Sequence, residues 1–548
     1  MEIHTIEKLE REALKKSGTD FTRLGFALFF MIGVLTFSFL SNGGVSNNMF
    51  LAVAALIGAY MAMNIGANDV ANNVGPAVGS KAMTMTVAIM IAAVFEAAGA
   101  LIAGGEVVKT IKKGIIDISA FGGNPDPFIW AMMAALLAAA LWLNFATAMK
   151  APVSTTHSIV GGVMGAGIAA AGFSIVDWGT MAKIAASWVI SPVLGGVIAA
   201  IFLFSIKKSI VFKDDKVSAA KTYVPVFVAI MAWAFVTYLT LKGLKKIWPQ
   251  IVEVLNYIPL VSIEMSKKPS LLTALILGGL VAILVYLFVK AKIKNNSTML
   301  ENNKASVNTL FTIPLIFAAA LLSFAHGAND VANAIGPLAA INDAVVSGGI
   351  SSKASIPLWV MLVGALGIAL GLALYGPKLI RTVGSEITEL DQIRAFSIAM
   401  AASITVIIAS QLGLPVSSTH IAIGGVFGVG FLREWLHIKD DQNTIEEDKE
   451  LIKDEKLVRD TYRAELNSLE AKEDKSAEEY ERIAQLYRMI KDEKKIIKST
   501  RKHIKKTMKI QYVKRDAIKK IVAAWVITVP AAATLAGLLF FMIKGIMA

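Results

Sequence analysis

Two aspartates stand in near-identical surroundings 261 residues apart (330 − 69). Asp69 lies in Gly66-Ala-Asn-Asp-Val-Ala-Asn-Asn-Val-Gly-Pro76, and Asp330 in Gly327-Ala-Asn-Asp-Val-Ala-Asn-Ala-Ile-Gly-Pro337. Each follows an asparagine, Asn68 or Asn329, and precedes another by one turn, Asn72 or Asn333. Each also ends an apolar run. An ionisable side chain at membrane depth costs at least ~2.5–3.5 kcal/mol by insertion scales, so it needs a partner. A carboxylate with amides at i−1 and i+3 offers hard oxygens on a short arc, which suits a small cation such as Na⁺. A single Asn-Asp pair reads equally well as a helix cap at the membrane surface. Its duplication favours the cation. The Gly-Pro that closes each motif is expected to interrupt the helix and free carbonyls for the same ion.

A second pair of motifs carries hydroxyls. Pro152-Val-Ser-Thr-Thr-His157 returns as Pro415-Val-Ser-Ser-Thr-His420, an offset of 263 (420 − 157). Each is followed by a Gly-Gly-Val-x-Gly-x-Gly stretch, at 161–167 and 424–430. Ser154, Thr155 and Thr156, with Ser417, Ser418 and Thr419, thus stand where a broken helix would start. Free N–H groups and the helix dipole favour an anion there, and the hydroxyls add donors suited to a tetrahedral oxyanion. The plainer reading is ordinary N-capping. The glycines would let helices pack closely. His157 and His420 read as structural, hydrogen-bonded histidines rather than proton carriers. Glu96 is a further acid inside an apolar run, without a counterpart near 357–376; it faces a polar cavity or handles a coupling ion.

Anion-binding helix starts beside two carboxylates have an electrostatic consequence. An oxyanion with up to two negative charges cannot sit near both aspartates unless cations neutralise the site. Cations between carboxylate and anion make each ligand's binding depend on the other, which is the physical basis of symport.

The elements that must position these groups follow from composition. Of 548 residues, 55% are hydrophobic and 17% charged, with mean hydropathy +0.61. Soluble domains are usually nearer 25% charged. Thirteen apolar runs, from 25–40 to 517–543, mostly reach the ~20 residues that carry a helix across a bilayer. In lipid such runs are helical, because a helix pairs its own backbone. The chain is therefore read as an all-α polytopic membrane protein of about 12–13 spans. Absence of cysteine excludes thiolate metal sites and thiol chemistry. The net charge of +13 would suggest nucleic acid in a soluble protein, but in a membrane protein it marks cytoplasmic loops.

Residues 437–516 differ sharply: 21 Lys/Arg and 19 Asp/Glu fall within 80 residues. Leu451, Val458, Tyr462, Leu466 and Leu469, then Ile483, Leu486, Tyr487 and Ile490, recur at helical spacing. Ser476-Ala-Glu-Glu479 is a capping-box pattern that would start a second helix. A soluble helical hairpin or short coiled coil is expected. A weaker echo, Trp188 against Trp525, has an offset of 337, which exceeds 263 by 74 and marks the charged segment as an insertion into the second copy.

The expected organisation is a polar extension (1–24), a first membrane repeat (25–205), connecting loops and linking spans (206–308), a second repeat (309–436) completed by 517–548, and the cytoplasmic hairpin 437–516. The repeats are expected to be inverted, with broken or re-entrant helices and a midplane site. Scoring the short 151–173 and 415–432 runs as crossings places the insertion on the same face as segment 206–221. That segment carries Lys207, Lys208, Lys213, Lys216 and Lys221, so the face is cytoplasmic.

The duplicated Gly-Ala-Asn-Asp-Val-Ala-Asn and Pro-Val-Ser-[Ser/Thr]-Thr-His signatures make the sequence similar to the inorganic phosphate transporter (PiT) family. The resemblance covers nearly the whole chain apart from 1–24 and 437–516. It implies a multi-pass protein of the inner (plasma) membrane that imports inorganic phosphate with Na⁺ or H⁺, and it implies a homodimer. Carried over by position, Asp69, Asn72, Asp330 and Asn333 would hold Na⁺. Ser154, Thr155, Thr156, Ser417, Ser418 and Thr419 would bind phosphate together with Asn68 and Asn329, and Glu96 would assist coupling. No organic cofactor and no enzymatic step are implied. Ser418 departs from the family's more common threonine but keeps the hydroxyl. The Asn-rich clusters favour Na⁺ over H⁺. Transport of another oxyanion such as sulfate is the main alternative; a membrane phosphohydrolase and a passive channel are the others.

Overall fold

The computed structural model describes residues 3–43, 48–149, 151, 153–257, 268–296, 300–349, 356–385, 390–440, 442–473, 476–507, 513 and 515–547. Side chains before residue 20 lie outside this description, as does Pro152 of the first hydroxyl motif. The first half contains α1 (Ile3–Ser41), α2 (Asn48–Asn68), α3 (Val70–Gly79), α4 (Met85–Ala103), α5 (Gly105–Lys113), α6 (Pro125–Ala148), α7 (Thr155–Ala171) and α8 (Trp178–Ile206). Linking helices are α9 (Lys216–Tyr238), α10 (Trp248–Leu255), α11 (Leu271–Asn296) and α12 (Lys304–Leu310). Then follow α13 (Thr312–Ser347), α14 (Leu358–Tyr375), α15 (Pro377–Ser385), α16 (Gln392–Gln411) and α17 (Ser418–Asp440). The chain ends with α18 (Gln442–Glu470), α19 (Ala477–Thr507) and α20 (Arg515–Met547).

Local chemistry sets several boundaries. Asn124 caps α6 through the Asp126 N–H, with Pro125 in the first turn. Asp177 and Asp215 cap α8 and α9. Hydrogen bonds from the Thr180 N–H and hydroxyl, at 2.9 and 3.0 Å, hold the exposed Asp177 carboxyl below the usual range. Gly172, at φ +83°, ends α7 where a side chain would be strained.

Among the described residues eleven helices are long and apolar enough to cross a membrane. The expected 12–13 is reached only by scoring α7, just 17 residues long, and α17 as crossings. Both begin inside the protein at the hydroxyl motifs. The apolar window of α13 is 89% buried and that of α11 only 11%, so α13 is central while α11 presents its side chains to lipid.

Glycines bring the central helices backbone to backbone. An ideal Cβ on Gly66 would stand 1.9 Å from the Ile368 carbonyl oxygen, and one on Gly371 equally close to that of Met63. The α4–α13 pair repeats this arrangement through Gly99 and Gly327, against the carbonyls of Phe324 and Glu96. Gly161 and Gly165 of α7 meet Val529 and Ala533 of α20, and Gly424 and Gly428 of α17 meet Pro192 and Gly196 of α8. These are small-xxx-small contacts of the expected kind.

The expectation for the Gly-Pro pairs is corrected. Pro76 lies within α3 and Pro337 within α13, and neither ends its helix. Each removes one intrahelical donor, a loss tolerated where neighbouring helices cover the freed carbonyl. The first copy instead has a one-residue irregularity at Asp69, between α2 and α3, where the backbone keeps helical dihedrals (φ −83°, ψ −38°), whereas the second copy runs unbroken through α13.

Residues Gly430–Lys514 form a separate compact unit. Here α18 and α19 pair around Leu466, Leu486 and Ile490, with Tyr462, Leu469 and Ile483 against them. Leu451, Val458 and Tyr487 are exposed instead. Tyr487 turns its hydroxyl to Glu470 at 2.7 Å. Ser476 and Glu479 form the capping box reciprocally, at 2.9 and 3.2 Å. Arg482 grips Glu465 with two hydrogen bonds, which holds that carboxyl below its ordinary range.

Candidate functional site

Asp69 stands between α2 and α3, facing the starts of both α7 and α17. Thr155 Oγ1 donates to Asp69 Oδ2 at 2.5 Å, and Thr419 Oγ1 to Asp69 Oδ1 at 3.0 Å. The hydroxyl motifs of both copies therefore converge on one carboxylate. Ser418 Oγ donates to Asp330 Oδ2 at 3.1 Å. The asparagines cross between copies: Asn72 donates to Thr419 Oγ1 at 2.9 Å, and Asn333 to Thr155 and Thr156 Oγ1 at 3.1 and 3.2 Å. All these side chains are buried.

The i−1 asparagines do something else. Asn68 donates to Thr147 Oγ1 at 2.9 Å and accepts from the Val153 N–H. Asn329 donates to Ser410 Oγ at 2.9 Å. Both therefore brace the turn ahead of the hydroxyl motif, and their amides do not join the carboxylates. Ser154 and Ser417 cap α7 and α17, accepting from the His157 and His420 N–H groups at 3.0 and 3.2 Å. The N-capping reading thus holds for these two serines, while the next two hydroxyls of each motif reach into the site.

His157 and His420 meet edge to face with ring centroids 4.4 Å apart. Trp188 covers the first at 3.8 Å and Trp525 the second at 3.6 Å. Tryptophans from α8 and α20 thus pack against both imidazoles.

His326 and Asn73 escaped the sequence reading. His326 Nδ1 lies 2.7 Å from Glu96 Oε2, and its Nε2 lies 3.0 Å from Asp330 Oδ2 and 4.0 Å from Asp69 Oδ2. Asn73 donates to the other Glu96 oxygen at 2.7 Å. Glu96 is thus not a lone intramembrane acid, since it holds the imidazole that faces both aspartates. A histidine one turn before a membrane aspartate was the available signal. It was hidden because the repeat places Ile65 at this position in the first copy and Ala334 opposite Asn73.

Among the described residues Asp69, His326 and Asp330 offer ligand atoms within 4.8 Å of one another. Three carboxylates without solvent need compensating positive charge, which a histidine and bound cations can supply. The carboxylate and hydroxyl motifs are joined directly, since Thr155 and Thr419 each bond the Asp69 carboxylate and an asparagine from the opposite copy.

A bundle of membrane helices with ionisable groups buried among them, facing two helix starts that lie inside the bundle, is the build of a membrane transporter. The sequence profile of the phosphate transporter family matches residues 65–536, and the chain belongs to that family. A candidate phosphate permease of Helicobacter pylori strain J99 is 48% identical over 566 aligned residues, covering 98% of each chain. One from Thermococcus kodakarensis is 38% identical over 384 residues, 70% of this chain and 89% of that one. A solved structure described as the sodium-dependent phosphate transporter superposes with a TM-score of 0.69 at 29% identity, over 90% of this chain and 99% of that one. The protein is thus a multi-pass phosphate transporter by family, and the phosphohydrolase reading is set aside.

Proposed function

We propose that the protein is a symporter that imports inorganic phosphate across the inner membrane with Na⁺. Asp69, Asn72, Asp330 and Asn333 hold Na⁺, and the hydroxyls of Thr155, Thr156, Ser418 and Thr419 hold phosphate. Ser154 and Ser417 shape the two helix starts, while Asn68 and Asn329 fix the turns before them. The observation that carries this reading is the double bond of Asp69 to Thr155 and Thr419. While those hydroxyl protons rest on the carboxylate, they are not available to an anion. A Na⁺ beside Asp69 takes over the carboxylate, the hydroxyl oxygens ligate it through their lone pairs, and their protons turn towards phosphate. Cation and anion then bind together or not at all. The sodium-dependent name of the solved relative supports Na⁺ as the ion.

The two copies act as inverted halves, with segment 206–221 on the cytoplasmic face. The exchanged contacts of α7 with α20 and α17 with α8 support a symmetric pair. Phosphate uptake into proteoliposomes under a Na⁺ gradient, a pH gradient or neither tests the coupling. Uptake driven by the pH gradient alone would overturn the Na⁺ assignment, and uptake indifferent to both would mean a channel. Strong inhibition by excess sulfate would make the substrate oxyanions in general. Light scattering of the solubilised protein tests the homodimer.

A further inference from the structure

A groove of about 600 Å³ opens between α9, α11 and the start of α13, on the side where α11 faces lipid. Its walls are apolar: Met231 and Phe235 of α9, Val285 and Phe288 of α11, Phe317 and Ala320 of α13. Phe288 and Phe317 are exposed, so the groove is open towards the bilayer, whereas Met231 and Ala320 are buried behind them. Beyond one end of the groove α9 and α11 are pinned together. There Trp233 Nε1 donates to the Leu275 carbonyl at 3.0 Å, and Gly278 leaves no room for a side chain beside Thr237.

The lining follows α11 from Val281 to Ile293, a rise of about 18 Å at 1.5 Å per residue. One leaflet has a hydrocarbon depth of about 15 Å, half of a ~30 Å core. The groove therefore spans about one leaflet. Near its other end stands Lys292, the one charged side chain among the described residues of the lining. The nearest acid along the chain is Glu301, nine residues on (301 − 292), and its carboxylate accepts from Asn303 Nδ2 at 2.8 Å. Lys290, Lys292 and Lys294 close α11, which is the second crossing after segment 206–221, with α9 the first. Two crossings return the chain to the face it left. Lys292 thus stands at the cytoplasmic surface under the orientation proposed above, where anionic headgroups attract basic side chains.

We propose that this groove is a binding site for one anionic phospholipid, with an acyl chain between α9, α11 and α13 and the headgroup phosphate on Lys292. Moving from the bilayer into the groove brings the chain no hydrophobic gain, because lipid tails are as apolar as leucine. Retention comes instead from close contact with three helices and from the charge at the mouth. The bound chain touches the elements that carry the central site. Phe95 of α4 lines the groove and precedes Glu96. Phe235, also in the lining, packs edge to face on Phe324 at 5.4 Å, two residues before His326. A lipid seated there braces α4 and α13 where they meet, and a ligand that binds only the folded protein raises its stability.

The test is native mass spectrometry and thermal unfolding of the full-length protein, delipidated in detergent and then supplied with phosphatidylglycerol or phosphatidylcholine. One phosphatidylglycerol is expected to bind per chain and to raise the thermal midpoint, at about fivefold lower concentration than phosphatidylcholine needs. Lys292→Gln should erase that preference, and Lys292→Arg should keep it. Val285→Trp, which fills the groove, should remove the binding of both lipids. The exposed Lys292→Gln keeps the proposal open to refutation if the larger side chain disturbs folding. Equal effects of the two lipids on the unsubstituted protein, or an undiminished preference in Lys292→Gln, would overturn the site. A loss of subunit association in Val285→Trp with lipid binding unchanged would also overturn it, and would make the groove a contact between copies of the chain.

Discussion

Glu96 of α4 and His326 of α13 meet at 2.7 Å across 230 residues of sequence, and that contact turns the imidazole towards both aspartates. Removing one partner of a buried charge pair typically costs about 3–5 kcal/mol. Glu96→Gln and His326→Gln are each expected to lower the thermal midpoint and to cut uptake more than tenfold. The double substitution should lose far less stability than the sum of the singles, because neither leaves the other stranded. Additive losses in thermal unfolding of the solubilised protein would show that the pair does not act as one.

Asp69→Asn and Asp330→Asn keep the size and hydrogen-bonding capacity of each side chain but remove its charge. Both are expected to insert normally and to lose gradient-driven phosphate uptake. Normal Na⁺-driven uptake in either variant would remove that aspartate from the cation site.

Thr419 donates to Asp69 and accepts from Asn72. Thr419→Val leaves two buried polar groups without this partner, at about 1–3 kcal/mol each. Half-saturation for phosphate and Na⁺ should rise together, by roughly 5- to 150-fold for each group lost. Thr419→Ser, which keeps the hydroxyl, should stay near the parent. A shift in phosphate half-saturation alone would separate the two ligands and contradict shared atoms.

Gly371 and Gly279 both lie in apolar membrane helices, but only the first touches a neighbour's backbone. A Cβ on Gly371 would stand 1.9 Å from the Met63 carbonyl oxygen, whereas one on Gly279 meets nothing within 4 Å. Gly371→Ala should sharply reduce the yield of folded, monodisperse protein in size-exclusion chromatography, and Gly279→Ala should not. Equal yields would mean that α2 and α14 do not need to touch.

In the α18–α19 hairpin, Leu486→Ala is expected to cost about 2–5 kcal/mol and Ser476→Ala about 0.5–2 kcal/mol of local stability. Hydrogen exchange in the full chain should lose protection within 442–507 and keep it in α13. Loss of protection spreading to α13 would show that the two parts unfold together.

The groups with chemistry were legible because the sequence writes them twice. Asp69 and Asp330, or Thr155 and Ser418, stand out by repetition, and a charged residue in an apolar run must be explained. His326, Asn73 and Glu96 stayed obscure as a set for the opposite reason: their contacts exist only where the two copies differ. The role of Asn68 was hidden as well, since periodicity cannot tell an amide facing an ion from one facing a turn. Pro337 misled because helix-breaking rules describe an isolated helix, whereas α13 is packed among neighbours over 89% of its apolar window. The hairpin was readable down to its capping box, since i to i+3 contacts are local. Which of its apolar residues would pair was less so, because two helices alone bury a narrow stripe.

The exchange of partners between copies bears on what either copy could do alone. Asn72 needs Thr419, and Asn333 needs Thr155 and Thr156, so neither half completes its own hydrogen bonds. One copy of each motif by itself would leave these amides without the partners they have here, so the two copies complete one another, and a histidine in one answers a glutamate in the other.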